Sequence, residues 1–316
     1  MASRSSALDL GESERRLVVE GGVTKPVRVA FQGEPGAFSE EAAERYFAEP
    51  TAMAVPTWRG IFEAVRDGAA DAGVAAIENS LAGTIRETYD LLLEFSGDGL
   101  RIVGEVSVPV RLALLGLPGE RIEDVERVYS HPQALAQVDE FLRGREWSVM
   151  TTYNTAGAAR MIAEQAERGA AAVASPRVAA IYGLEVLAGD IQTGQDNRTR
   201  FAVLAREPLA PEWIGALATR DRSRTAMKTT LVFAVRNVPG SLHRSLGAFA
   251  EQGLNLSKLE SRPSRTARWE YVFWVDLDAD ANDPRTQEAL EALRTESQMV
   301  RVLGSYPAAE DAESGV

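Results

Sequence analysis

The segment Asp196-Asn197-Arg198-Thr199-Arg200-Phe201 sets a carboxylate, an amide, two guanidiniums and a hydroxyl just ahead of the apolar run 201–204. Strand ends in α/β folds are where small-molecule chemistry gathers. Two further polar clusters also follow apolar runs, Glu78-Asn79-Ser80 and Ser130-His131-Pro132-Gln133. Each has a plain structural reading when taken alone. Thr199 suits a strand, Asn197 a turn, and Arg200 a surface ion pair. Ser130 and His131 suit a helix cap, and Gln133 and Gln137 a solvated helix face. Their recurrence at strand ends points to one shared site. Its inventory is a hydroxyl and several amides as neutral donors, a carboxyl for proton transfer, and a guanidinium for an anion.

The bulk composition narrows the options. The chain has 316 residues, 45% hydrophobic and 25% charged, with a formal net charge of −12. That length favours two domains, and the negative balance argues against nucleic acid or an anionic membrane as the main partner. There is no cysteine, so thiol nucleophiles, disulfides and thiolate metal sites are excluded. The two histidines, His131 and His243, are far apart, so no metal site is expected. No secretion signal or membrane span is read in the sequence, which makes the cytoplasm the expected compartment.

Residues 1–26 and 306–316 read as flexible tails rich in Ser, Gly and Glu, and 207–227 as a linker. Between 27 and 206 strands and helices alternate, as in an α/β domain of two lobes around a cleft. The expected strands are 27–31, 72–77, 128–129 and 170–174, with 101–117 as long strands that cross between lobes. Ser39 is expected to cap the first helix, Thr57 the second and Thr155 one that runs to 168. Ile85, Tyr89 and Leu93 are expected to face inward from a helix at 84–94. Pro132 suits the first position of a helix over 133–142. Residues 228–305 read β-α-β-β-α-β, the ferredoxin-like order, with a sheet edge free to pair with a second chain.

Read in order, 33–39 (GEPGAFS), 77–80 (IENS), 130–137 (SHPQALAQ), 155–159 (TAGAA) and 197–201 (NRTRF) resemble the prephenate dehydratase family, which includes the plant arogenate dehydratases. Each motif is weak alone, but the ordered set is specific and spans 27–205. The C-terminal part resembles an ACT regulatory domain, with Pro239-Gly240-Ser241-Leu242 and Glu260-Ser261-Arg262-Pro263 at the effector positions. Ser241 stands where that domain usually has alanine.

The resemblance implies a periplasmic-binding-protein-like pair of lobes and the decarboxylating dehydration of prephenate to phenylpyruvate, on the route to phenylalanine. It implies L-phenylalanine as effector and a homo-oligomer, dimer or tetramer. The stretch before the first strand is too short for a fused mutase domain, so a monofunctional chain is expected. Thr199 matches the family's catalytic threonine and is expected to donate a hydrogen bond to the departing oxygen. Glu78 is expected to supply a proton if burial raises its pKa. No cofactor is required, because aromatisation drives the reaction.

One carboxylate stays and one leaves as carbon dioxide. Arg200 is therefore assigned to the pyruvyl carboxylate, and the neutral donors Asn79, Ser80, Ser130, Gln133 and Gln137 to the ring end. Ser39 and Phe201 are placed with them. In the regulatory domain Gly240, Ser241 and Leu242, Glu260, Ser261 and Arg262 are the expected effector residues: Gly240 and the helix start beside it would admit an anionic group, and Glu260 would pair with an ammonium. Two other readings stand beside this one: the same chemistry on arogenate, and a non-catalytic amino-acid sensor built on the same lobes.

Overall fold

The computed structural model describes residues 18–19, 22–23, 25–194, 196–215, 226–263 and 271–309. Most of the expected tails and the middle of the expected linker lie outside these residues. A short hairpin, β1 (Val18–Val19) and β2 (Gly22–Val23), precedes the first lobe.

Lobe 1 is built by β3 (Arg28–Gln32), α1 (Phe38–Tyr46), β4 (Thr51–Val55), α2 (Trp58–Arg66), β5 (Ala72–Asn79), β6 (Gly83–Thr84), α3 (Arg86–Phe95) and β7 (Arg101–Pro109). Lobe 2 contains β8 (Ala113–Gly116), β9 (Arg127–Ser130), α4 (Pro132–Gln137), α5 (Asp139–Leu142), β10 (Ser148–Thr151), α6 (Thr155–Gln165), β11 (Ala170–Ala174), α7 (Arg177–Tyr182) and β12 (Glu185–Ala188). The chain then returns to lobe 1 as β13 (Arg198–Ala205).

Both lobe sheets are mixed. Lobe 1 runs β4-β3-β5-β13-β7, with β3 parallel to its neighbours and β13 antiparallel to β5 and β7. Lobe 2 runs β10-β9-β11-β8-β12. The expected crossing segment is thus two strands, β7 in one lobe and β8 in the other. The two crossovers, 110–112 and the described residues of the return segment (189–194 and 196–197), lie side by side: Val110 N donates to Asn197 O at 2.7 Å and Ile191 N to Leu112 O at 3.0 Å.

Local chemistry explains several of the helix starts. Thr57 caps α2 by accepting from Gly60 N at 3.0 Å, and Ile61, Phe62 and Val65 form the buried face. Pro132 occupies the first turn of α4, where a missing N–H costs nothing. Two expected caps are corrected. Ser39 lies inside α1, whose cap position is Ala37 with no side-chain hydrogen bond. Asn154, not Thr155, caps α6 by accepting from Gly157 N, and α6 stops at Gln165. The helix expected at 84–94 begins at Arg86. Tyr89 is buried as expected, but Ile85 precedes the helix and Leu93 is only half-buried; Leu91, Leu92 and Phe95 supply the rest of the apolar face.

The C-terminal domain is β14 (Met227–Val235), α8 (Ser241–Glu251), β15 (Leu256–Pro263), β16 (Tyr271–Leu277), α9 (Pro284–Glu296) and β17 (Ser297–Pro307), in the expected β-α-β-β-α-β order. Its antiparallel sheet runs β15-β16-β14-β17. One face carries α8 and α9 over Leu231, Phe233, Phe249, Leu290 and Leu293. The other face packs on lobe 1: Val232, Trp274, Leu303 and Tyr306 share a core with Phe62, Tyr89, Phe95 and Ile102. The approach is close. A Cβ on Gly304 would lie 2.1 Å from the Ile102 carbonyl oxygen, so β17 can meet β7 here only without a side chain.

Candidate active site and the regulatory domain

A cavity of about 380 Å³ opens between the lobes, a volume suited to a small metabolite. It lies where β3, β5 and β13 of lobe 1 face the first turns of α4 and α6 of lobe 2. Strand alternation selects what enters it. On β13, Thr199 and Phe201 face the cleft. They pair across β5 with Asn79 and Ala76, which also line it, and a bulge absorbs the extra residue between those two.

Asn79 is 5% exposed and its amide is held in one orientation. Its Oδ1 accepts from Leu81 N at 3.1 Å and Ala82 N at 2.9 Å. Nδ2 therefore points the other way and donates to Asn197 Oδ1 (2.7 Å), Arg198 O (3.1 Å) and Thr199 Oγ1 (3.1 Å). A hydroxyl that accepts from Asn79 keeps its own proton for a group in the cleft. Asn197, a residue type suited to a turn, is 1% exposed and closes this network.

Ser39, Gln133 and Gln137 also line the cavity. Ser80, Ser130 and Arg200, also expected to bind substrate, do not. Ser130 is fully buried and donates to Val173 O at 2.6 Å, tying β9 to β11. Ser80 donates to Asp196 O and accepts from Arg198 N, fastening the β5 exit to the β13 entry.

Glu78 and Arg200 are the larger corrections. Both leave the opposite face of the sheet from Asn79 and Thr199. Arg200 meets Glu78 at 3.1 Å and Asp276 of the C-terminal domain at 2.7 Å, while Glu78 also meets Lys258 at 3.0 Å. Neither lines the cleft, so this geometry offers no proton from Glu78 and no carboxylate clamp by Arg200. A strand cannot present three consecutive side chains to one side, and the expectation had placed 199, 200 and 201 together.

Among the described residues lining the cleft there is no Lys, Arg, Asp or Glu. Gln32, Phe38, Trp58, Tyr153 and Asn154, missed by sequence reasoning, line it as well. The signal available for Asn154 was its fit to a helix cap; Trp58 and Tyr153 had none beyond their aromatic character. His131 lines the cleft too, and caps α4 through Nδ1, which accepts from Gln133 N at 3.2 Å. An accepting Nδ1 leaves the proton of the neutral ring on Nε2. Burial pushes this imidazole below its ordinary 6.5, favouring the uncharged form. kcat/KM is therefore expected to stay flat from about pH 7 to about pH 8.5, since the ring is already neutral there. A limb in that range that disappears in His131→Asn would contradict this.

The lobes are latched at one rim. Glu34 of lobe 1 accepts from the Tyr153 hydroxyl and from Arg160 Nη1, both at 3.0 Å, and the Tyr182 hydroxyl donates to Pro35 O at 3.0 Å. Gly36 lets the loop close this far: its φ is +89°, and a Cβ would lie 2.8 Å from Val178 of α7. Glu34→Gln is expected to raise KM about three- to tenfold with little change in kcat, because it weakens closure and leaves the donor network intact. A steady-state comparison with wild type checks this.

In the C-terminal domain, Gly240 (φ +81°), Ser241 and Leu242 line a hollow of about 340 Å³ beside the start of α8. The Ser241 hydroxyl donates to Arg236 O and Val238 O, so it serves its own turn. The other expected effector residues lie elsewhere. Glu260 accepts from the Thr84 hydroxyl, and Arg262 reaches Arg86 O at 2.9 Å and Asp90 at 3.0 Å, both on lobe 1. Ser261 is exposed on edge strand β15. One chain thus does not bring the two halves of the expected effector site together.

Two lobes joined by paired crossovers around a neutral cleft, with a βαββαβ domain docked on one of them, define a two-lobed α/β protein with a candidate small-molecule site between its lobes and a separate C-terminal module. A family model described as prephenate dehydratase matches residues 29–209, and one described as ACT domain matches 229–295. The chain belongs to the prephenate dehydratase family.

Arogenate dehydratase/prephenate dehydratase 2, chloroplastic, of Arabidopsis thaliana is 43% identical over 290 residues, which cover 89% of this chain and 73% of that one. A solved prephenate dehydratase from Arthrobacter aurescens in complex with L-Phe is 32% identical, with a TM-score of 0.74 over 89% of this chain and 90% of that one. A solved structure described as GqqA, a novel type of quorum quenching acylase, is 35% identical, with a TM-score of 0.77 over 89% of this chain and 98% of that one.

Proposed function

We propose that the protein is a hydro-lyase that removes water and carbon dioxide from prephenate to give phenylpyruvate. The observation that carries this is the Asn79 Nδ2 to Thr199 Oγ1 hydrogen bond in a cleft lined by neutral groups. The departing ring oxygen needs a positioned donor, and Thr199 is held with its proton free. The ring carboxylate must leave as a neutral molecule, and a cleft without a guanidinium does not over-stabilise the dianionic ground state. Anion binding falls instead to neutral donors such as Gln133, Gln137 and His131 Nε2, and to the first turn of α1, which has no side-chain cap.

The arogenate reading is favoured by the plant relatives, whose names include arogenate dehydratase. It differs by an ammonium in place of the keto oxygen. Among the described lining residues no carboxylate is available to meet that ammonium, which supports prephenate as the better substrate. Turnover of both compounds by the purified protein tests this: formation of phenylpyruvate at the higher kcat/KM is expected, and faster formation of phenylalanine from arogenate reverses the order.

We assign the α8 hollow to the carboxylate end of L-phenylalanine, in keeping with the L-Phe complex of the Arthrobacter relative. Val238 and Tyr271 at its rim are exposed, as is alternate residue after residue of β15. A second copy of this chain would cover those groups and bring the missing half of the site, so the active form is a homo-oligomer. Light scattering with and without phenylalanine tests the assembly.

A further inference from the structure

The buried ion cluster between lobe 1 and the regulatory domain lies directly behind the cleft. Thr199 and Arg200 are neighbours on β13, and Asn79 and Glu78 are the residues they pair with on β5. One pair faces the cleft and the other faces the regulatory domain. Arg200 is mostly buried and meets Asp276 Oδ2 at 2.7 Å, Glu78 Oε2 at 3.1 Å and Glu105 Oε2 at 3.6 Å. Asp276, on β16, is 1% exposed and also accepts from the Thr230 hydroxyl at 2.7 Å. Lys258, on β15, takes the second oxygen of Glu78. The cluster therefore grips β5 and β13 at the one place where a bulge loosens their register.

We propose that Arg200 is a positioning residue, clasped by Asp276, that holds β13 against β5 so that Asn79 Nδ2 stays on Thr199 Oγ1. The regulatory domain thereby supplies a part that the catalytic hydroxyl depends on, and movement of β16 is felt at Thr199. Loss of Asp276 removes the shortest of the three carboxylate contacts of Arg200 and leaves the guanidinium to Glu78 and Glu105 on lobe 1, so the tie to the regulatory domain is what is lost.

The test uses the full chain with prephenate as substrate, and its kinetic arm rests on the dehydratase reading. Asp276→Asn is expected to lower kcat at least tenfold with KM within twofold of wild type, and Asp276→Glu to recover most of that loss. A folded Asp276→Asn protein with wild-type kcat, or one whose loss falls in KM instead, overturns the proposal. Should Asp276→Asn fail to fold, Lys258→Met at the edge of the cluster decides, with a smaller fall in kcat expected and an unchanged kcat overturning. If the wild-type protein leaves prephenate untouched, the dehydratase reading fails, and amide hydrogen exchange then judges the positioning. Faster exchange at 78–80 and 198–200, with β3 and β11 unchanged, supports it; unchanged exchange at those residues refutes it.

Discussion

Replacing Thr199 with valine is expected to lower kcat for prephenate by about 10²–10³-fold, the usual cost of removing one positioned donor to a developing oxyanion. KM is expected to move by less than about threefold, because the hydroxyl acts where charge develops and not where substrate is recognised. The fold is expected to survive. Valine keeps the branched shape that suits β13, and Asn79 Nδ2 retains Asn197 Oδ1 and Arg198 O as acceptors. No buried group is stranded, so the melting temperature reports little change while the rate of phenylpyruvate formation collapses. Glu78→Gln, by contrast, should act through the domain interface and not as loss of a proton donor, since Glu78 does not line the cleft. A Thr199→Val protein with more than a tenth of wild-type kcat would remove the threonine from the chemistry.

The contrast between Thr199 and Arg200 marks the limit of what the chain announces by itself. Composition, the β-α-β-β-α-β order and the strand-to-helix junctions at Ser130–Pro132 were legible because each is a local property: apolar runs, turn residues, a proline in a first turn. Thr199, Asn79, Gln133, Gln137, Ser39 and Phe201 were placed in one hollow and lie in one. Arg200 and Glu78 were misplaced because a motif was read as a block. A period of two along β13 assigns alternate residues to opposite faces, and that rule was available from sequence.

The partner on the far face was not. Asp276 stands some 76 residues away on a strand that reads as ordinary core, and only docking of the two domains shows that it pairs with Arg200. The bulge that lets Ala76 and Asn79 share a face is equally silent, since it depends on how β13 lies against β5. For the same reason, Glu260 and Arg262 looked like effector ligands while bonding to lobe 1: an edge strand advertises charge, not the body it touches.

That docking rests on apolar packing as much as on charge, and Trp274→Ala is the second large expectation. Trp274 is 1% exposed on the sheet face away from α8 and α9, and its ring meets Tyr89 of α3 edge-on at 4.7 Å and 88°. Truncating a buried tryptophan costs about 3–5 kcal/mol through lost transfer energy and the cavity left behind. Here much of that loss falls on the seam between domains, so urea unfolding is expected to change from one coincident transition to two, the regulatory domain melting first.

Trp274→Phe is the informative partner. The Trp274 indole N–H is buried and has no hydrogen-bond acceptor among the described residues. A smaller aromatic ring still fills most of the seam and removes that unsatisfied donor, an offset worth about 1–3 kcal/mol against the cavity it opens. Near-wild-type stability for phenylalanine with a large loss for alanine would show that ring volume holds the regulatory domain in place. Equal losses for both would mean that the indole itself, and not the packing of the seam, is what the interface requires.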